Sequence, residues 1–300
     1  MHHRLCLAAL ALLVPMLAGL GVYQLNVAIS RQFLSHLPDG SMSYLYYAQR
    51  LVEIPQGMFA LAVGSAALPS VATTMARGDA EGSKRILRDA LRLTLFVAIP
   101  SSVALAVLAT PTVDALFGHG RFDAAAVRET SISLVYQSLG IAAVSAVRTI
   151  VPMFYGMKDT RTPVLASATN LVFFAGTAYV FVPTMGHAAV ALALTVASVG
   201  QLVVLLVLLR LRAGTLGLTE VVVSAAKTAL ASLVAGAAMY FAARWGASFL
   251  GPTHARAIVK IAALAVYGAI GAVVFLVSAR VVGIPEVTRI LDGVRRKLRR

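Results

Sequence analysis

Along this chain hydrophobic and polar positions segregate into whole segments, not into the alternation of a half-buried strand. Apolar runs lie near 5–30, 44–76, 92–110, 130–155, 163–183, 187–209, 221–243 and 258–282. Each is close to or beyond the roughly 20 residues that a helix, rising about 1.5 Å per residue, needs to cross a bilayer core. The breaks between them hold turn formers: Pro38-Asp39-Gly40, Gly118-His119-Gly120, Lys158-Asp159-Thr160, Pro183 to Gly186, Gly214 to Gly217 and Gly251-Pro252. With no water in the bilayer to satisfy backbone groups, such runs are helices. The pattern therefore predicts an all-α, polytopic membrane protein with about eight transmembrane helices over residues 1–283.

Three segments need separate reading. The start, MHHRLCLAALALLVPMLAGLG, has the basic and apolar regions of a secretory signal. The apolar run continues through Val22, Leu25, Val27 and Ile29 and lacks a clean small-x-small cleavage site, so it is expected to remain as a helix. Residues 284–300 put Ile284, Val287, Ile290, Leu291, Val294 and Leu298 at helical spacing opposite Arg289, Arg295, Arg296 and Lys297. That pattern predicts a basic amphipathic tail lying on the inner leaflet. Residues 111–126 place Leu116, Phe117 and Phe122 among polar residues, as an interfacial turn would.

Composition strengthens the membrane assignment. The 300 residues are 59% hydrophobic and 13% charged, with mean hydropathy +0.84, whereas a soluble domain carries about 25% charged residues. A net charge of +14 could suggest nucleic acid, but the cations are not gathered into a soluble domain. Taking the loops alternately, one set holds 18 Lys and Arg: Arg4, Arg77, Lys84, Arg85, Arg88, Arg92, Lys158, Arg161, Arg210, Arg212, Lys227 and those from Arg280 to Arg300. The other holds 6: Arg31, Arg121, Arg128, Arg244, Arg256 and Lys260. This asymmetry predicts that both termini are cytoplasmic, with anionic lipid and not nucleic acid as the partner of the basic loops. The single Cys6 excludes a disulfide within the chain.

No phosphate loop, dinucleotide fingerprint, HExxH or GxSxG occurs in the sequence. His119 and Asp123 lie on a glycine-rich turn and do not form a metal set. The chain is read as a non-enzyme without cofactor or metal.

The remaining chemistry is intramembrane charge, which costs several kcal/mol at mid-bilayer and so marks cavities or helix interfaces. Arg50, Glu53 and Arg148 are the charged candidates, with Gln24, Asn26, Gln49, Gln137 and Asn170 as polar ones. Arg50 admits two readings. It could snorkel at the outer interface, with Tyr44, Tyr46 and Tyr47 as an aromatic belt. Alternatively, Arg50, Glu53, Gly57, Ala60, Gly64 and Ala67 share one helical stripe, and small residues mark a face toward protein or a cavity. Arg148 divides in the same way: it could snorkel past Pro152, or share a polar-lined face with Gln137 and Gly140.

At these residues a family pattern emerges. YLYYAQRLVEIPQGMFALAVGSAALPSVA (44–72) resembles a span of the MurJ/MviN-type lipid II flippases, within the multidrug/oligosaccharidyl-lipid/polysaccharide exporter superfamily. GVYQLN (21–26), ALFGHGRFDAAAV (115–127) and PMFYGMKDTRTP (152–163) follow in order and spacing. The resemblance implies the C-terminal part of a fourteen-helix, two-lobed exporter of the bacterial inner membrane. Such an exporter moves an undecaprenyl-pyrophosphate-linked peptidoglycan precursor to the outer leaflet by alternating access through a cationic cavity. It implies substrate binding by Arg50 and Arg148, with Glu53 and Gln49 beside them, and a tail groove formed by 221–243 and 258–282. Gln49 stands where many family members carry an acidic residue. The family's N-terminal lobe has no counterpart here, which implies a fragment, a truncated gene product, or one half of a split transporter with that lobe as a separate partner. An exporter of another polyprenyl-linked saccharide and a non-transporting membrane scaffold are the alternatives.

Overall fold

The computed structural model describes residues 21, 24–25, 27–250 and 257–287, without the side chains of 58–69, 71–72, 75–76 and 247–250. The described residues are helical with short turns. The helices are α1 (Ser41–Ala76), α2 (Ala80–Val107), α3 (Ala109–Phe117), α4 (Ala124–Ser138), α5 (Ile141–Gly156), α6 (Arg161–Met185), α7 (His187–Ala213), α8 (Thr219–Leu250) and α9 (Ala257–Val281). A further helical stretch at 27–34 packs Leu34 against Leu45 of α1 and Phe174 of α6.

Five helices among the described residues, α2 and α6 to α9, are long and apolar enough to cross a membrane, and α4 with α5 makes a sixth as one bent span. The expected count of eight is thus not reached within them. Most of the first expected run lies outside the described residues, as do residues 288–300 of the basic tail. α1 is 36 residues long and contains the uncharged run from Ile54 to Ala76.

α1, α2, α4, α5 and α7 pack together as the central bundle. α6 pairs with α7 on one side, the α8–α9 hairpin leans on α2 at the other, and α3 wedges between α4 and α9. The interior is small and apolar: Ala48, Leu51 and Val52 of α1 meet Ala98, Val113, Leu134 and Ile141. Beside them Phe154, Ile150, Leu205 and Leu209 join α5 to α7. Outward faces of α6 to α9 carry Val172, Tyr179, Val203, Leu233, Phe241, Ile258, Val273 and Val281, all exposed. Without a membrane this apolar surface would be untenable; facing lipid it is the expected arrangement.

Two expectations change at helix ends. The run expected from 92 belongs to a helix that starts at Ala80, because the Asp79 carboxylate accepts from the Gly82 N–H at 2.7 Å and caps it there. Arg85, Arg88 and Arg92 therefore stand on its first turns and not in a loop. The run 130–155 is not one helix: it breaks at Leu139-Gly140, with a 41° bend between α4 and α5. A Cβ on Gly140 would come within 2.9 Å of the Thr195 hydroxyl and 3.3 Å of its Cα, so only glycine admits α7 so closely. At the break, the Tyr136 carbonyl accepts from the Thr195 hydroxyl at 2.7 Å, and the Ser138 carbonyl accepts from Ser102. Neighbouring helices thus supply the hydrogen bonds that a broken span needs in lipid.

The turn inside PMFYGMKDTRTP closes α5 with Lys158 in the left-handed region, φ +59°, while the Asp159 N–H returns to the Phe154 carbonyl at 2.9 Å. Asp159 then opens α6: its carboxylate accepts from the Arg161 and Thr162 N–H groups at 3.1 and 3.0 Å and from the Thr162 hydroxyl, and pairs with Arg212 of α7 at 2.6 Å. Partial burial pushes this carboxyl upward, but the Thr162 bonds, Arg212 and the Arg161 N–H together outweigh it and hold its pKa below the ordinary value. A depressed folded pKa contributes stability above the ordinary value, and that contribution is lost as pH falls through the folded one. Asp159→Ala is expected to lose about 1–2 kcal/mol at neutral pH. Chemical unfolding of both proteins across the acid range checks this: the difference should shrink as pH falls through the folded pKa.

Candidate functional site

α1 has two faces. Leu45, Ala48, Leu51, Val52 and Gln56 are buried against the bundle, whereas Tyr46, Arg50, Ile54 and Gly57 are exposed. Arg50 is not a bare cation. Its Nη1 donates to Glu53 Oε2 at 2.8 Å, its Nη2 to the Tyr46 hydroxyl at 3.1 Å, and its Cζ stands 4.8 Å from the Tyr46 ring centroid. The carboxylate lies one turn below and the ring one turn above, so helical spacing alone assembles the group. Both charged side chains are about half open, 55% for Arg50 and 41% for Glu53.

The expected tyrosine belt takes another form. Tyr44 stands edge-on to His187, ring centroids 5.5 Å apart, and Tyr47 packs on Phe117 and Phe122 at 4.8 and 5.4 Å. Those two rings, with the turn that carries Phe117 and Phe122, face protein; Tyr46 alone remains on the open face, against Arg50. Asp123 caps α4 by accepting from the Ala126 N–H at 2.8 Å, a turn role.

Arg148 emerges on the exposed side of α5, the helix packed beside α1. Its Nη1 donates to the Gln56 carbonyl at 3.3 Å and its Nη2 to Gln56 Oε1 at 3.4 Å. Gln49, Glu53 and Gln56 follow i, i+4, i+7, so one polar stripe of α1 leads from the Arg50 group toward Arg148. All four expected site residues therefore belong to the adjoining surfaces of α1 and α5. Gln56 was not singled out from the sequence, although its spacing from Gln49 and Glu53 carried the signal.

The polar face expected around Arg148 does not form as foreseen. The bend at Gly140 breaks the helical register, and Gln137 is buried with its Nε2 donating to the Leu45 carbonyl at 3.3 Å. Asn170 joins α6 to α7 through Gln201, 3.0 Å away. The side chains of Ala60, Gly64 and Ala67, the lower part of the stripe, and Asn26 lie outside the described residues. Residues 284–287, expected on the leaflet, instead turn into the bundle: Ile284 and Val287 are buried with Phe96, Phe275 and Ala279. Glu286, 3% exposed, meets Arg92 at 2.6 Å.

This architecture is that of a multi-pass helical membrane protein. The outward-facing structure of a multidrug resistance MATE family transporter of the MOP superfamily aligns with TM-score 0.59 over 92% of this chain and 65% of that one; at 16% identity the likeness is one of fold. A MurJ structure described as "Lipid II flippase MurJ, inward closed conformation" aligns with TM-score 0.71 at 25% identity, over 88% of this chain and 51% of that one. The family model for lipid II flippase MurJ matches residues 1–259, and the chain belongs to that family. The lipid II flippase MurJ of Burkholderia cenocepacia is 34% identical over 187 residues, 62% of this chain and 36% of that protein. A Rhizobium meliloti relative, "Probable lipid II flippase MurJ", is 26% identical over 291 residues, 97% of this chain and 53% of that protein. The chain thus spans between about a third and a half of these relatives' length.

Proposed function

We propose that this chain forms a wall of the pathway by which lipid II, the undecaprenyl-pyrophosphate-linked peptidoglycan precursor, passes from the inner to the outer leaflet of the bacterial inner membrane. Both termini lie on the cytoplasmic side, and transport proceeds by alternating access. Arg50 and Arg148 bind the diphosphate, Glu53 holds Arg50 until the anion arrives, and Gln49 lines the stripe between them. One observation carries this reading: the open face of α1 carries the Arg50–Glu53 pair among Tyr46, Ile54 and Gly57, while the open faces of α6 to α9 are large and apolar. A half-exposed guanidinium and carboxylate belong beside water or ligand, not lipid tails. Guanidinium suits the ligand, because its planar fork pairs with phosphate oxygens and keeps its charge in a partly dry site.

The direct test is retention of undecaprenyl diphosphate by the chain in nanodiscs, with undecaprenol as the uncharged control. Saturable binding of the diphosphate, displaced by lipid II and not by undecaprenol, is expected. Equal binding of both lipids would leave only an apolar surface and remove the anion site.

A further inference from the structure

Gln56 presents two acceptors to one guanidinium, its backbone carbonyl to Nη1 and its side-chain Oε1 to Nη2 of Arg148. The side chain that does so is 5% exposed, wedged where α1 meets α5, while the arginine it touches is exposed. From this asymmetry we infer that Gln56 is a positioning residue, aiming the Arg148 guanidinium at the diphosphate of a lipid-linked ligand. The inference rests on the proposed anion-binding reading and adds a residue to it.

Three features carry the argument. Packing fixes the rotamer of a buried glutamine, so its oxygen is a stationary reference from which a long, flexible arginine takes its direction. The distances of 3.3 and 3.4 Å are at the long end of hydrogen bonding, so the contact orients the head without holding it tightly. Both acceptors are neutral, so this contact directs the guanidinium without itself offsetting its charge.

The alternative is that Gln56 only ties α1 to α5. A double-mutant cycle separates the two, using undecaprenyl diphosphate and the chain in nanodiscs, with melting temperature recorded for each variant. Gln56→Met keeps length and removes the acceptor; affinity is expected to fall about tenfold. Gln56→Glu keeps the contact but neutralises the head; affinity is expected to fall comparably while the melting temperature is held or rises. In an Arg148→Ala background Gln56→Met should cost nothing further. Additive losses in that background, or a Gln56→Glu variant that binds like the parent, would reduce Gln56 to a helix tie and overturn the inference. Wild-type affinity in Arg148→Ala would remove Arg148 from the site, and Gln56 with it. Failure of the unmutated chain to bind the diphosphate would instead overturn the proposed function itself.

Discussion

Arg50→Ala is expected to weaken undecaprenyl diphosphate binding roughly 10- to 100-fold, with little change in melting temperature. The loss is that of charge-assisted hydrogen bonds to the diphosphate oxygens. Stability should barely change because Arg50 is exposed and its contacts to Glu53 and Tyr46 lie within one helix. Removing the guanidinium also leaves the Glu53 carboxylate alone on the open face, where it repels the incoming anion. Glu53→Ala gives the opposite sign: the arginine loses its counter-ion, and diphosphate affinity is expected to hold or rise. Arg50→Lys should fall between, since an ammonium keeps the charge but loses the planar fork. Titrations of the three variants against the same nanodisc-embedded lipid check the order. If Arg50→Ala bound the diphosphate like the parent, the charged stripe of α1 would be no anion site.

How much of this was legible beforehand differs from residue to residue. Apolar runs marked the helices well because lipid imposes a length and allows few charges. The Arg50–Glu53 pair was visible because both partners sit one turn apart on a single helix, where spacing alone brings them together. The Arg148–Gln56 contact was not, because it joins α5 to α1 across 92 residues of sequence and depends on how the two helices are rotated. The face expected for Gln137, Gly140 and Arg148 failed for a related reason. Helical periodicity carries across a segment only while the helix is continuous, and the Gly140 break is dictated by α7, through Thr195, not by α4 itself. The tyrosines were misleading in the same sense: a belt and an internal aromatic cluster have the same composition, and only the partners Phe117, Phe122 and His187 distinguish them. Glu286 lay in a segment whose basic amphipathic pattern pointed to the leaflet; a single buried carboxylate is invisible to such a pattern.

That carboxylate supports the largest expected effect on stability. Arg92 of α2 donates from Nε to Glu286 Oε1 at 2.6 Å and from Nη1 to Glu220 Oε2 at 3.4 Å. Its own side chain is 14% exposed, Glu286 3% and Glu220 72%. Among the described residues Glu286 Oε2 has no hydrogen-bond partner, so Arg92 compensates this buried charge largely alone. Arg92→Ala would strand it, and removing one partner of a buried ion pair costs about 3–5 kcal/mol. Glu286→Ala should cost less, because Arg92 keeps Glu220 and the remaining guanidinium reaches solvent more easily. The decisive variant is Arg92→Ala with Glu286→Gln, in which the buried group no longer carries a charge; more than half of the lost stability should return. Unfolding in detergent micelles reads all three, and a loss below about 0.5 kcal/mol for Arg92→Ala would show the pair to be replaceable by water. The consequence reaches beyond stability. Arg92 ties the first turn of α8 and the turn after α9 to α2, while Lys260 ties the other end of α9 to Asp114 of α3 at 2.9 Å. An ion pair thus secures the α8–α9 hairpin to the bundle at each end, so severing the Arg92 end should free the hairpin there before α1 and α5, which pack chiefly on each other and on α2, lose their packing. Diphosphate binding by folded Arg92→Ala protein should accordingly survive at temperatures where proteolysis already cuts the 214–218 loop.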